Sequence, residues 1–344
     1  MKKALFFALC GMCITSGYAQ KQYSLTSPDG NLKTTIMTGD TLSYDILYKD
    51  VQVMHRSPAY VTLENGDVWG IKSKVRKVKE REVREVVASP FYRSAEIEDH
   101  YNEIVLEFDK KWKAEFRMYN DGIAYRFVNE NSKPFNIKSE SVEYRFDHDD
   151  LAYVPYVNRG KDGNFESQFF NSFENTYTEC KVSEVNPARL AFLPLMVQAS
   201  DDVKVCITES HLENYPGLYL LGSKGGSLVG VHAACPSKVE QGGHNRLQML
   251  VKGRENYIAK IEGKRSLPWR IAVVSDDDRT IAATNLSYLL GAPSRVDDIS
   301  WIKPGKVAWE WWNDWNLDGV DFKTGVNNDT YKAYIDFASR NGIE

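Results

Sequence analysis

The sequence predicts a mainly β protein: a large antiparallel sandwich followed by the opening βα unit of a parallel α/β domain. Three observations carry this. From Gln20 to about Leu286 the chain is dense in short alternating segments separated by turn residues, the pattern of a large antiparallel sandwich. One hairpin is spelled out almost completely. Trp112, Ala114, Phe116 and Met118 alternate with Lys113, Glu115, Arg117 and Tyr119, then Asn120-Asp121-Gly122 turns the chain into residues 123–128. After Pro304 the period changes from two to that of a helix.

Residues 1–19 read as a secretory signal. Lys2 and Lys3 precede an apolar run over residues 4–14, and small residues end in Gly17-Tyr18-Ala19, with cleavage expected after Ala19. The apolar run is too short for a permanent membrane span, and no later stretch approaches the roughly 20 apolar residues that a span needs. The expectation is therefore an exported, soluble protein without membrane insertion. Cys10 and Cys13 fall inside the signal, and neither follows the Leu-Ala-Gly type of sequence that marks a lipid-anchored cysteine.

In the mature chain, Tyr23-Ser24-Leu25 leads through Pro28-Asp29-Gly30 into residues 32–37, a strand–turn–strand reading. Residues 72–84 are heavily charged but carry Val75, Val78 and Val83, which fits an exposed strand pair better than a binding patch. In the 112–128 hairpin, Asp-Gly between alternating runs signals a type I′ turn, which needs positive φ at both central positions. Residues 20–290 make the sandwich, ending in a short element at 285–290, and residues 291–303 make a linker. Residues 304–344 form the βα unit: a short apolar strand at 306–309, a polar loop at 313–327, and a helix over 328–341. Tyr331, Tyr334, Ile335, Phe337 and Ala338 make one face of that helix. Asn328 or Asp329 can cap its start and Gly342 its end. The stretch from Pro304 onward is far shorter than the about 250 residues of a complete barrel, so the domain begun here is expected to be incomplete.

Composition narrows the function classes. A formal charge of −4 provides no basic field for nucleic acid. The three cysteines of the mature chain, Cys180, Cys206 and Cys235, are odd in number and scattered, which argues for free thiols over a disulfide scaffold. With 8 Trp and 19 Tyr, the chain suits a protein that stacks rings on sugars, and equally a large β core.

Three clusters could carry chemistry. Trp309-Glu310-Trp311-Trp312-Asn313-Asp314-Trp315-Asn316 lies where the first barrel strand would meet its loop, the end at which barrel active sites form. Flat aromatic faces beside carboxylates and amides suit a pyranose; the plainer alternative is that they cap an interface. Glu209, in the run from Cys206 to Gly217, directly follows the apolar residues 203–207 and so stands at a strand end. A lone carboxylate there is ordinarily a turn acceptor or surface residue, and His211 and Glu213 do not complete a zinc signature. Residues 233–245 read as a polar, Gly-containing loop, either plainly solvated or reaching toward a neighbouring site. No phosphate loop, Rossmann fingerprint or nucleophile elbow is present.

Taken together, four stretches resemble glycoside hydrolase family 97. They are the Ser-Pro-Asp-Gly-Asn opening, residues 119–127 (Tyr-Asn-Asp-Gly-Ile-Ala-Tyr-Arg-Phe), Ile207-Thr208-Glu209 with Tyr215-Pro216-Gly217, and Pro304-Gly305-Lys306 with residues 309–314. The resemblance implies a mainly β fold: an amino-terminal β-supersandwich followed by the start of a (β/α)8 barrel. It implies a periplasmic, calcium-dependent, exo-acting α-glucosidase or α-galactosidase whose partner is an α-linked oligosaccharide. Within the matched motif it places Glu209 as a calcium ligand. It also puts the catalytic carboxylates, and the choice between inversion and retention, on barrel strands beyond Glu344. The candidate substrate contacts are Trp311, Asn313 and Asp314 in the first cluster, with His232, Lys238 and Glu240 at and within the third. A non-catalytic carbohydrate-binding or accessory sandwich remains the alternative.

Overall fold

A computed structural model describes residues 20–146, 149–200 and 202–343. The leader expected over residues 1–19 lies outside them. The chain divides into two compact units, one formed by residues up to 88 with 96–292, the other by residues 89–95 with those from 293 onward.

The first unit is built on two large antiparallel sheets. One runs in the order Lys21–Thr26, Leu32–Thr41, Ser43–Tyr48, Val51–Leu63, Phe135–Arg145, Ser227–His232 and Leu218–Ser223. The other runs Thr178–Lys181, Leu151–Val154, Leu195–Gln198, Lys204–Ser210, Trp269–Ser275, Gly122–Asn129, Trp112–Tyr119, Glu96–Phe108 and Val75–Ala88. The alternation in the sequence has its cause here, because one face of each strand enters the space between the sheets. Tyr44, Phe116 and Tyr125 pack there with ring centroids 5.1–5.9 Å apart, and Trp112 stacks on Phe108 at 3.8 Å. The strand Trp269–Ser275 is buried throughout. Its Ala272 and Val274 join the intersheet core, while Trp269, Ile271 and Val273 pack on the other side with Leu286 and Leu290 of the terminal helical segment.

The 112–128 hairpin forms in the expected register, Tyr119 opposite Gly122. Its turn differs from the expectation: Asn120, Asp121 and Gly122 all lie outside the positive-φ residues, so it is no type I′ turn. Tertiary bonds hold it instead. Asp29 N–H donates to Asn120 Oδ1 (3.0 Å), and Thr284 Oγ1 donates to Asp121 Oδ2 (2.7 Å). Glycine is needed at 122 for space, since a Cβ would stand 2.6 Å from the Ala272 carbonyl and 2.7 Å from Leu286 Cδ1. Residues 233–245, read from sequence as a loop, contain the strand Pro236–Gly242, which pairs with Gln248–Arg254 as a separate two-stranded hairpin. The reading failed because its residues are exposed on both faces, so burial imposes no period of two.

In the second unit the helix Asn328–Asn341 forms as expected, closed by Gly342 at φ 60°. Its cap is Asn327, one residue earlier than read, whose side chain accepts from the Thr330 N–H at 2.9 Å. The strand expected over 306–309 is absent. Trp309 has extended dihedrals but no ladder partner, and a short 3-10 turn, Glu310–Asn313, follows at once. A strand needs a neighbour to receive its backbone bonds, and none of the described residues supplies one.

Residues 293–309 belong to no helix or strand, and most of the first half of that stretch is exposed. Limited proteolysis of the chain is therefore expected to cut first within residues 294–305. A first cut inside either large sheet contradicts this assignment of order.

Candidate functional site

In the strand Lys204–Ser210, Val205 and Ile207 are fully buried in the intersheet core, so the period of two turns Glu209 to the same inner face. It stands at the strand end, as expected, but points into the sandwich with a side chain only 9% exposed. Directly opposite on the neighbouring strand is Arg270. The strand Phe135–Arg145 of the facing sheet contributes Glu140, the segment after Glu209 contributes Tyr215, and the end of Ser227–His232 contributes His232.

Arg270 organises these groups. Its Nε donates to Glu140 Oε1 at 2.9 Å and its Nη2 to Glu140 Oε2 at 2.6 Å, a two-pronged carboxylate grip across the sheets. Its Nη1 donates to Glu209 Oε2, and Nη2 lies 3.1 Å from His232 Nε2. The Tyr215 hydroxyl donates to Glu140 Oε2 at 2.8 Å, and the Leu218 N–H donates to Glu209 Oε1 at 2.9 Å. The loop carrying Tyr215 reaches this position through left-handed backbone at His211 and Asn214.

The electrostatics follow from one guanidinium facing two carboxylates. Burial works to raise the pKa of Glu140, but the charge and hydrogen bonds of Arg270 outweigh it and hold the group below the usual carboxylate range. At Glu209 burial wins, and its pKa rises despite Arg270 and the Leu218 N–H. Burial, together with the Arg270 charge, lowers His232 to about 4 against the opposing pull of Glu140. At neutral pH the imidazole is therefore uncharged and, by the tautomer this arrangement favours, Nε2 accepts from Arg270.

A calcium site can be tested against this donor set. Both Glu209 oxygens already accept a bond, one of them from a guanidinium, and no group of three or more acidic, His or Cys side chains among the described residues is arranged to hold a metal. Calcium prefers six to eight oxygens. Glu209 thus fits as one oxygen donor with lone pairs to spare, and the described residues do not make a site by themselves.

The other candidates fall into two groups. Lys238 and Glu240 are exposed on the hairpin strand that follows His232 and pair with each other at 3.0 Å. His232 is 3% exposed and turned into the Arg270 network. In the second unit Trp311 is 61% exposed and meets Trp315 edge-on at 4.9 Å. Asn313 accepts from the Tyr334 hydroxyl at 2.8 Å and donates to the Asn316 carbonyl at 2.8 Å, and Asp314 occupies left-handed backbone at φ 55°. Sequence reasoning missed Glu140 and Arg270. A charged residue inside the apolar run Trp269-Arg270-Ile271-Ala272-Val273-Val274 was the available signal for Arg270; Glu140, in the polar run Lys138-Ser139-Glu140-Ser141, gave none.

The His232 arrangement fixes the direction of a pH response. Its folded pKa is depressed, so between about 4 and 6.5 the unfolded chain binds the proton that the folded chain refuses. Stability is intact above that window and is lost as pH falls through it, by on the order of 3 kcal/mol for this group. His232→Gln, which keeps an acceptor and cannot titrate, should flatten the stability–pH slope in denaturant titrations. Equal slopes in both proteins contradict the assignment.

Comparison with known proteins agrees with this architecture. Residues 25–293 match the family described as glycosyl-hydrolase 97 N-terminal. The chain is 62% identical over its whole length to a retaining alpha-galactosidase of Bacteroides thetaiotaomicron, covering 52% of that protein. Over 81 residues it is 36% identical to a probable retaining alpha-galactosidase of Streptomyces bingchenggensis. In structure it resembles a glycoside hydrolase family 97 enzyme from Pseudoalteromonas sp. strain K8 in complex with acarbose. That match has a TM-score of 0.73 at 21% identity and covers 94% of this chain and 46% of that one. A beta-arabinopyranosidase gives a TM-score of 0.74 at 18% identity. The chain spans about half the length of the Bacteroides protein and of the Pseudoalteromonas enzyme. With the family match covering most of its sandwich unit, the chain belongs to glycoside hydrolase family 97.

Proposed function

We propose that this chain is the amino-terminal portion of a retaining α-galactosidase that acts on α-linked oligosaccharides. The observation that carries the reading is 62% identity, over the full chain, to a protein of that name. The sandwich unit serves as the rigid support, and residues 304–344 open the catalytic (β/α)8 barrel. Trp311, Asn313 and Asp314 supply substrate contacts at the barrel mouth; the exposed Trp311 face offers an apolar platform for a sugar ring. In the sandwich unit, the exposed Lys238 and Glu240 and the buried His232 are the further substrate-binding residues of this reading.

Calcium belongs to the same reading. Glu209 donates one oxygen to the ion, and the remaining ligands come from the rest of the longer protein. When bound, the ion would act as a Lewis acid near the departing glycosidic oxygen. What this chain's own residues do is hold that carboxylate: Arg270 and the Leu218 N–H fix its two oxygens in place. Export to the periplasm follows from the charged and apolar leader read in the sequence.

The full-length protein is expected to hydrolyse an aryl α-galactoside in preference to the α-glucoside, with the α-anomer of galactose as the first product seen by NMR. Preference for the glucoside, or a β-anomer formed first, overturns the reading. In the same protein Glu209→Gln should weaken calcium binding by about tenfold or more in calorimetry. An unchanged calcium titration would leave Glu209 as an ordinary strand-end carboxylate.

A further inference from the structure

Lys264 lines two open cavities of the sandwich unit. One, of about 770 Å3, is walled by Tyr215, Pro216, Pro236 and Ile258 and edged by Arg254, Lys260 and Arg265. The other, of about 980 Å3, is lined mainly by charged residues around the buried Trp112. Most of the cations lining the two cavities are already spoken for. Arg254 pairs with Glu166, Lys260 with Glu262, Arg76 with Asp109, Lys79 with Glu107, Lys110 with Asp67 and Lys113 with Glu130. Three cations differ: among the described residues Lys111, Lys264 and Arg265 have no carboxylate partner.

Arg265 is the informative one. It is half-buried, and its guanidinium is oriented by backbone alone, Nη2 donating to the Glu213 carbonyl and Nε to that of Ser266. A guanidinium has five donors in a fixed fork, so several remain for a ligand in the cavity. A chain of net charge −4 that keeps three cations without a carboxylate partner around two cavities sharing Lys264 departs locally from its own average. Such a patch concentrates anions. The same cavity has an apolar lining as well, from Tyr215, Pro216, Pro236 and Ile258. That combination suits the C–H face of a sugar ring that carries a carboxylate.

We propose that the two cavities that share Lys264 form an accessory site for an acidic oligosaccharide, with one uronate carboxylate on Arg265 and a neighbouring one on Lys264 and Lys111. The saccharide part of this rests on the glycosidase reading; the anion contacts do not. The full-length protein would be titrated by calorimetry with oligogalacturonate, with a neutral galacto-oligosaccharide of equal length, and with inorganic tripolyphosphate. The oligogalacturonate is expected to bind tightest, to weaken as salt rises, and to lose about tenfold in affinity on Arg265→Gln. Lys264→Met and Lys111→Met, both at exposed positions, should each weaken it about threefold and carry the test if the arginine variant does not fold. No binding of oligogalacturonate, equal binding of the neutral sugar, or unchanged affinity in both lysine variants overturns the site. Equal binding of tripolyphosphate shows that charge alone is read and overturns the saccharide assignment. Turnover of a neutral α-galactoside reports separately on the glycosidase reading and does not depend on these residues.

Discussion

One guanidinium, that of Arg270, joins the two sheets at the end where the candidate site lies. It is 1% exposed, gripped by Glu140 of the facing sheet and bonded to Glu209 of its own. Two carboxylates and one arginine taken out of water are costly to bury, and only close geometry with additional donors offsets that cost. Those donors are present: the Tyr215 hydroxyl on Glu140 and the Leu218 N–H on Glu209. Tyr215 lies on the loop that passes through left-handed backbone at 211 and 214, and Leu218 begins the strand that follows it. The network therefore ties this loop to both sheets, and the Leu218 N–H and Arg270 together hold the two oxygens of Glu209.

The sandwich was legible because burial of one face forces a period of two. Where that constraint lapses, the reading lapses with it. The hairpin Pro236–Gly242 with Gln248–Arg254 is exposed on both faces and looked like a loop. The turn at Asn120-Asp121 was assigned by local chemistry, but bonds from Asp29 and Thr284, distant in sequence, decide its conformation. The segment 306–309 has strand composition and no partner, and composition cannot supply hydrogen bonds. Glu209 was found because an apolar run pointed to it. Its inward direction was not read, although the alternation with Val205 and Ile207 carried it, and the partner that explains it, Arg270, was hidden inside a run of otherwise apolar residues.

Membership of family 97 sets the context for both units. In the sandwich, the buried network presents a single carboxylate with lone pairs to spare, a donor that needs company from elsewhere to hold a divalent ion. In the second unit, the 3-10 turn at Glu310–Asn313 and the helix Asn328–Asn341 are tied by Tyr334 to Asn313 and by Tyr331 to Trp315, at 2.8 and 3.2 Å. Those bonds leave Trp309, Trp311 and Trp312 more than half exposed. Exposed aromatics on a locally braced segment support the sugar platform proposed for it.

The central claim is that Arg270 and Glu140 act as one buried unit that fixes this end of the sandwich. A double-mutant cycle measured by denaturant unfolding tests it most directly. Arg270→Met alone leaves Glu140 buried without its counter-charge and should cost about 3–5 kcal/mol, and the Arg270→Met/Glu140→Leu pair should recover a large part of that loss. Single variants that each cost less than about 1 kcal/mol and simply add in the double would contradict the account.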